Sequence, residues 1–484
     1  MKALLRKSTV VAASALAALA VLAGCSGSGA KKSNKVQIMV GFGTGTDPSQ
    51  IAVHEKLAEQ FNSTIGKEKE IELEFVTVQY SESEQKFTTL VAAGMTPDIC
   101  GPVGVMGVGK FISEWLDIRP FLEKDGVDTS VYSEKLVDSM KYNVGEEKLV
   151  GLPIGYYPSV IYYNEDIFDA AGLPYPPAEW GTPDWTYDKL ISQARTMTLD
   201  KYGNNTYNPD FDMENVAQFG YDGTDWSPLR AWVGKYFDKN GKSVSLGVSE
   251  DGKTAQMNSP EWKKALKDLY EQVFKFKVRP SSDSNAGAAL FGDNDPMGSN
   301  KCAMWEVFSW MAYAYEGWDA NFNWNVGAIP SLDGHIVSAT NIDTFVMCKS
   351  AKNHDKAWEV YKWIYSPEVY WTLCKNYGGI PAMKQFQQTW LDERTNGIKD
   401  AEGNVVEEGR PNIHWQVLLD AADYADDPNN ESWVPNFGKV WDAMEVAMAS
   451  VISGLNEDTD AVAEDLNTEV QGYLDEYWES QANK

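Results

Sequence analysis

Across residues 36–109 short apolar runs alternate with amphipathic stretches, and that alternation leaves few folds open. Val36-Gln37-Ile38-Met39-Val40-Gly41-Phe42 reads as a buried strand ending at the turn Gly43-Thr44-Gly45-Thr46-Asp47-Pro48. Residues 49–62 follow as a helix with Leu57, Ala58 and Phe61 on its inner face. A second strand is predicted over 71–78 and a second helix over 83–93. A third strand around Pro97-Asp98-Ile99-Cys100 runs into a glycine-rich loop, 101–109. Strands alternating with helices at this spacing imply a parallel sheet covered on both faces. Ligands of such sheets settle outside the carboxyl ends of the strands, here the loops 42–47, 79–81 and 101–106.

Beyond Leu149 the pattern changes. Pro153-Ile154-Gly155-Tyr156-Tyr157-Pro158 is a Pro/Gly-punctuated segment before a strand, Val160-Ile161-Tyr162-Tyr163. Helices and long polar loops follow, rich in Trp and Tyr, before strand signals return at 326–329 and 344–348. The last third is helical. A chain of 484 residues that leaves an α/β region and comes back to it suits two lobes joined by more than one crossing strand, and such crossings act as hinges. No internal repeat is evident.

The N-terminus carries a basic segment with Lys2, Arg6 and Lys7, an uncharged run over 8–22, and Leu22-Ala23-Gly24-Cys25. The run is short for a membrane span, and a polar tether, 26–35, follows it. Small residues set immediately before a cysteine resemble a bacterial lipobox, which implies cleavage before Cys25 and a diacylglyceryl thioether on it. The expected location is the outer face of a bacterial cell membrane, with the chain held by acyl chains.

The formal charge is −28; loss of Lys2, Arg6 and Lys7 with the leader takes 42 basic residues to 39 against 70 acidic ones, or −31. That balance argues against nucleic acid, whose phosphates need Lys/Arg clusters, and against docking on anionic lipid by charge alone. Cys100, Cys302, Cys348 and Cys374 are widely separated with no zinc-site spacing. Buried thiols and disulfides both remain open.

Several further motifs resemble the carbohydrate-binding extracellular solute-binding proteins of family 1, which serve ABC importers. They are Gly94-Met95-Thr96-Pro97-Asp98-Ile99, Leu149-Val150-Gly151-Leu152-Pro153-Ile154, Ile161-Tyr162-Tyr163-Asn164-Glu165-Asp166-Ile167-Phe168 and Lys301-Cys302-Ala303-Met304-Trp305. Val326-Gly327-Ala328-Ile329-Pro330 and Gly378-Gly379-Ile380-Pro381-Ala382 extend the match over nearly the whole chain. The sequence departs from the family at Asn341-Ile342-Asp343-Thr344, where relatives often have paired glycines. The resemblance implies an α/β, two-lobed periplasmic-binding-protein-like fold with hinge crossings. It divides the chain into a leader (1–24), a tether (25–35), a first lobe (36–155 with 328–388) and a second (156–327 with 389–484). It implies a monomer that closes on an oligosaccharide and delivers it to the permease subunits, without itself being an enzyme.

Sugars stack C–H patches on aromatic faces and bond their hydroxyls to carboxylates and amides. On the family's pattern, the first loop supplies Phe42, Thr44 and Asp47; Asp47-Pro48 equally suits a helix cap. Gln79 follows the second strand, beside Tyr80. Pro102 and Met106 stand where relatives place an aromatic and a polar contact. Tyr156 and Tyr157 sit at the first hinge. Asp225 and Trp226 pair an acceptor with a stacking ring, and Trp305, Glu306 and Trp310 follow the 301–304 strand. Asn341 and Asp343 return near the opening, Gly378-Gly379 admits backbone N–H groups, and Trp433 and Trp441 are candidates for a lid. Core packing competes for every one of these tryptophans.

No cofactor is implied. The loop running from Asp200 through Asn204, Asp210, Asp212 and Glu214 offers oxygen ligands of the hard-cation sort, and some relatives hold calcium in a comparable loop. Its spacing is not that of an EF-hand, and a solvated turn is the stronger reading. A membrane-anchored glycosidase or lyase is the alternative, since 70 acidic residues supply some carboxylate pair at any spacing. A surface adhesin would not need two lobes. Serine-nucleophile, HExxH and phosphate-loop motifs are absent from the sequence.

Overall fold

The computed structural model describes residues 34–104, 107–144, 146–223, 229–281 and 290–483. Its first element is the strand Lys35–Val40, in which Val36, Ile38 and Val40 are fully buried. It pairs in parallel with Glu72–Thr77 on one side and with Ile99–Val103 on the other, Ile38 lying opposite both Phe75 and Ile99. The connecting helices are Pro48–Ser63 and Tyr80–Ala92. In the first, Pro48 occupies the opening turn, where its missing N–H costs nothing, and His54, Leu57 and Phe61 form the buried stripe.

Among the described residues nine strands make the main sheet. Its path runs Glu72–Thr77, Lys35–Val40, Ile99–Val103, Thr340–Met347, Pro153–Asn164, Met304–Phe308, Asp222–Gly223, with Trp324–Gly327 and Ile380–Pro381 also on the long strand. Pro153–Asn164 decides the architecture. All twelve of its residues are buried. Its first half pairs with Thr340–Met347 and Ile380–Pro381, and its second half with Met304–Phe308 and Trp324–Gly327. The segment 153–158, read from sequence as a break before the strand, is therefore part of it. Pro158 is tolerated because backbone N–H groups alternate sides. Ser159 N–H donates to the Ala339 carbonyl at 2.8 Å, so the Pro158 nitrogen faces the other edge. There Ile380–Pro381 pairs only as far as Tyr156, and Met304–Phe308 begins at Ser159.

A third connection lies beside these two strands. Asp426 accepts from Thr340 N–H at 2.9 Å, and the Asn429 side chain donates to the Thr340 carbonyl at 2.8 Å. The far half of the molecule is built on the helices Pro260–Phe274, Phe437–Ser453 and Thr459–Ala482, packed around Trp232, Trp262, Leu266, Val440, Met444 and Leu474. Trp115, Trp232, Trp262, Trp305, Trp318 and Trp415 are all fully buried, so core packing claims much of the tryptophan content. No described helix is long and apolar enough to cross a membrane.

Cys100, Cys302, Cys348 and Cys374 are buried thiols; the Cys100 and Cys348 sulfurs touch at 3.7 Å. In the polar loop, Asp200 accepts from the backbone N–H groups of Tyr202, Asn204 and Asp212 and from the Asn204 side chain, at 2.8 to 3.1 Å. Its oxygens thus hold the loop's own donors. Among the described residues no three His, Cys, Asp or Glu side chains converge as a metal needs.

Gly101 permits a close contact between strands in the first half, because a Cβ there would meet the Phe345 ring at 2.2 Å. Gly101→Ala is expected to destabilise the protein by about 1–3 kcal/mol through overpacking. Urea unfolding followed by fluorescence reads this as a lower midpoint with unchanged slope.

Candidate functional site

Between the two halves lies a cavity of about 860 Å³, a size suited to a small organic guest. Its floor follows from strand alternation. Tyr157 points into the cavity while Tyr156, fully buried, points into the core and donates its hydroxyl to the Leu419 carbonyl at 3.2 Å. On the antiparallel neighbour Thr340–Met347, Asn341 and Asp343 face the cavity and Ile342 joins the core. Asn341 sits opposite Tyr157 and Asp343 opposite Gly155. The Tyr157 hydroxyl lies 3.2 Å from Asp343 Oδ2 and 3.1 Å from the Tyr377 carbonyl, and has one proton to give. Gly104 leaves the room for this carboxyl, since a Cβ there would stand 2.4 Å from Asp343 Oδ1.

The near wall comes from the loop after the first strand. Phe42, Thr44, Asp47 and Gln50 line it, with Tyr80 at the rim. Phe42 is wedged edge-on among Phe87, Phe111 and Trp115 at 5.5 to 6.4 Å. Asp47 is also the N-cap of Pro48–Ser63, so the capping and cavity-lining readings hold together. Gln50 organises the turn. Its Oε1 accepts from Gly45 N–H at 2.8 Å, and its amide donates to Thr44 Oγ1 at 2.7 Å and to the Asn376 carbonyl at 2.8 Å. The far wall presents Trp310, Ala312, Tyr313, Trp441 and Glu445. Trp310, half-buried, stacks on Phe308 at 4.3 Å, lies tilted to Tyr157 at 6.3 Å and lines the cavity, and Tyr313 is 75% exposed at the mouth.

Three buried carboxyls crowd the junction. Burial pushes Asp343 up to about 7 against the opposing Tyr157 hydrogen bond. Burial likewise raises Asp426 to about 6, although the Thr340 N–H and the Asn430 donors hold it down. Glu431, 1% exposed, is pushed well above the carboxylate range by burial and then by Asp343 and Asp426; its Oε1 has no partner. Among the described lining residues the one cation, Lys375, is engaged elsewhere, 3.3 Å from Glu393. Asn341, 2% exposed, leaves both its amide nitrogen and its carbonyl oxygen unpartnered. A buried amide unpaired at both ends is costly unless something else completes it.

Of the residues expected at the site, Phe42, Thr44, Asp47, Tyr157, Trp310, Asn341 and Asp343 are brought together. Others are not. Tyr156 faces the core. Trp305 and Glu306 lie inside the strand Met304–Phe308 rather than after it. Trp305 is fully buried, and Glu306 is paired with Lys235 at 2.7 Å and accepts from the hydroxyls of Tyr187 and Tyr221. Gln79 caps Tyr80–Ala92 at the surface and yields its place to Tyr80. Gly379 packs against the Gly155 backbone, and Gly378 lines the cavity instead. Trp433 lines a different cavity. Cys25, Met106, Asp225 and Trp226 lie outside the described residues. Sequence reasoning missed Gln50, Tyr313, Glu431 and Glu445. Gln50 was legible as the partner of Asp47 in a capping pattern, three residues on. Glu431 had no signal until the third connection was known.

The chain matches the sequence profile described as bacterial extracellular solute-binding protein over residues 56–402. A putative binding protein of Brucella abortus is 22% identical over 406 residues, covering 84% of this chain and 86% of that protein. Among solved structures, an ABC substrate-binding protein from Listeria monocytogenes in complex with cycloalternan superposes with TM-score 0.62 at 17% identity, covering 90% of this chain and 98% of that one. A cyclic α-maltosyl-1,6-maltose binding protein from Arthrobacter globiformis gives 0.64 at 14% identity, covering 91% and 98%. A cyclo/maltodextrin-binding protein complexed with maltotetraose gives 0.63 at 18%, covering 92% and 98%. The fold is shared with two-lobed sugar-binding proteins.

Because the folded protein holds a proton on Asp343 up to about 7 that the unfolded chain releases near 4, this group's ionisation lowers stability as pH rises between those values. Asp343→Asn removes the titration. It is expected to raise stability by an amount on the order of 3–4 kcal/mol more at pH 8 than at pH 4. Denaturant melts of both proteins at the two pH values measure the difference; equal gains at both would show that Asp343 titrates normally.

Proposed function

The chain belongs to the bacterial extracellular solute-binding protein family, and on that premise we propose that it is the substrate-binding component of an ABC importer for oligosaccharides. One observation carries the ligand class. Asn341, buried with a donor and an acceptor both unpaired, stands in the same cavity as the half-buried ring of Trp310. A sugar answers both needs at once. Its ring C–H surface covers an aromatic face, and a hydroxyl both donates to and accepts from an amide. Tyr80, Tyr313 and Trp441 provide further rings along the cavity, which favours more than one sugar unit over a monosaccharide.

The ligand touches both halves of the molecule. Phe42, Thr44, Asp47 and Tyr80 belong to one wall and Trp310, Tyr313 and Trp441 to the other, so binding favours the arrangement in which the walls approach. Two permease subunits and an ATPase recognise that arrangement and take the sugar. The protein is held outside the cell through lipid on Cys25, a reading that rests on Leu22-Ala23-Gly24-Cys25 and the tether after it. It works as a monomer, without a cofactor, and returns the sugar chemically intact.

Thermal-shift screening against maltotriose, maltotetraose, mannotriose and cycloalternan tests the class. A ligand-dependent rise without a cleaved product is expected, whereas hydrolysis of any of these sugars would identify an enzyme. Trp310→Ala is expected to weaken binding of the best ligand by about 1–3 kcal/mol, the usual worth of an aromatic platform. Isothermal calorimetry measures this, and an unchanged affinity removes Trp310 from the site.

A further inference from the structure

Trp433, expected over the sugar, lines a second cavity of about 650 Å³ that the importer reading leaves unused. Both halves of the molecule contribute to it. Lys135, Ser139 and Lys141 come from the first half, Lys242, Leu246 and Ser249 from the second, and residues 426–429 and 432–435 of the third connection lie between. We propose that this cavity is a second binding site for a neutral polyhydroxylated ligand, with Trp433 as its stacking platform. The choice of ligand class rests on the reading of the protein as a sugar binder; the existence of the site does not.

The lining excludes the other classes. An anion finds little here, since Lys141 is paired with Asp138 and Lys242 with Glu250, and the Lys135 ammonium already donates one of its hydrogens to the Asp423 carbonyl at 2.6 Å. With Asp426 and Asp427 added, the lining carries four acids against three lysines. A purely apolar ligand would strip water from polar lining groups such as Asp427 without replacing its hydrogen bonds. What remains is a molecule with an apolar face and a rim of hydroxyls. Trp433 is half-buried, packs against two apolar clusters and meets the Tyr477 ring edge-on at 5.6 Å, so the part of its indole left exposed in the cavity is what a ligand would cover. Leu246, Val248, Val434 and Pro428 complete the apolar side.

The position gives the site a consequence. A molecule bridging both halves beside the third connection interacts differently with each relative arrangement of those halves. Occupancy here and occupancy of the main cavity are therefore linked, in either direction and by equal free energies.

The test is calorimetry of the unmodified protein, Trp310→Ala, Trp433→Ala and Trp433→Phe with maltotetraose and, separately, mannotriose. Two classes of site are expected with at least one of the sugars. Trp433→Ala should weaken one class at least tenfold and Trp433→Phe should restore most of it, while Trp310→Ala weakens the other. A single class that Trp310→Ala removes and Trp433→Ala leaves unchanged would overturn the second site and keep the importer reading. No binding of either sugar to the unmodified protein would overturn the ligand class of both cavities together. Loss of all binding in Trp433→Ala without recovery in Trp433→Phe, with an unchanged circular dichroism spectrum, would assign Trp433 to the main cavity and overturn the proposal.

Discussion

One strand holds this molecule together, and it belongs to two bodies at once. Pro153–Asn164 is buried on both faces along its length, so each backbone N–H and C=O has to find a partner within the protein. The neighbours that supply those partners change halfway. Up to Tyr156 they come from the half containing Ile380–Pro381, and from Ser159 they come from the half containing Met304–Phe308. The changeover coincides with Pro158, the proline inside the strand, whose nitrogen needs no partner. On the other edge pairing is unbroken through Ser159 and Ala339, and Ser338 N–H in turn donates to the Tyr424 carbonyl at 2.9 Å. The two halves thus share one strand whose neighbours on one edge change at Pro158 while the other edge stays paired across the change.

The same strand fixes the chemistry of the cavity. A period of two sends Tyr157 one way and Tyr156 the other, and the antiparallel register then places Asn341 beside Tyr157 and Asp343 beside Gly155. Polar groups end up on a floor that water reaches poorly. Asn341 has no partner, Asp343 keeps its proton to about 7, and burial pushes Glu431 well above the usual carboxylate range. None of this favours folding. A hydrophobic floor would pack better, so the arrangement marks the place where stability is given up for recognition.

How far the sequence could be read follows from which physical rule governs each residue. The alternation of strand and helix over 36–109 rests on local periodicity and turn chemistry, and the observed elements Lys35–Val40, Pro48–Ser63, Glu72–Thr77, Tyr80–Ala92 and Ile99–Val103 lie close to the predicted ones. Phe42, Thr44 and Asp47 were accessible because the ends of parallel strands share one edge. Trp305 and Glu306 were misplaced by a shift in strand boundaries: moving the strand from 301–304 to Met304–Phe308 converts an exposed loop into a buried ladder. Tyr156 failed on the face it takes, which only its neighbours' register decides. Glu431 and Trp433 depend on a connection far along the chain, and no local pattern around 426–435 announces where it passes.

Charge narrows the guest further. The chain is strongly acidic, and the excess continues into the main cavity, where Asp47, Asp343 and Glu445 face a single lysine already engaged with Glu393. An anionic guest would lose its hydration without gaining a cation, a heavy cost in a site of low dielectric. A cationic guest has acids and aromatic faces to meet, and by those features alone would be preferred. Asn341 decides between them. An ammonium group only donates, so it satisfies the amide oxygen and leaves the buried N–H₂ group unpaired. A hydroxyl donates and accepts. Asp343, protonated near neutrality, presents the same double character, and the Tyr157 hydroxyl can turn its proton toward either Asp343 or the Tyr377 carbonyl. A floor made of groups that each give and take a hydrogen bond fits a guest whose groups do the same, as the hydroxyls of a sugar do.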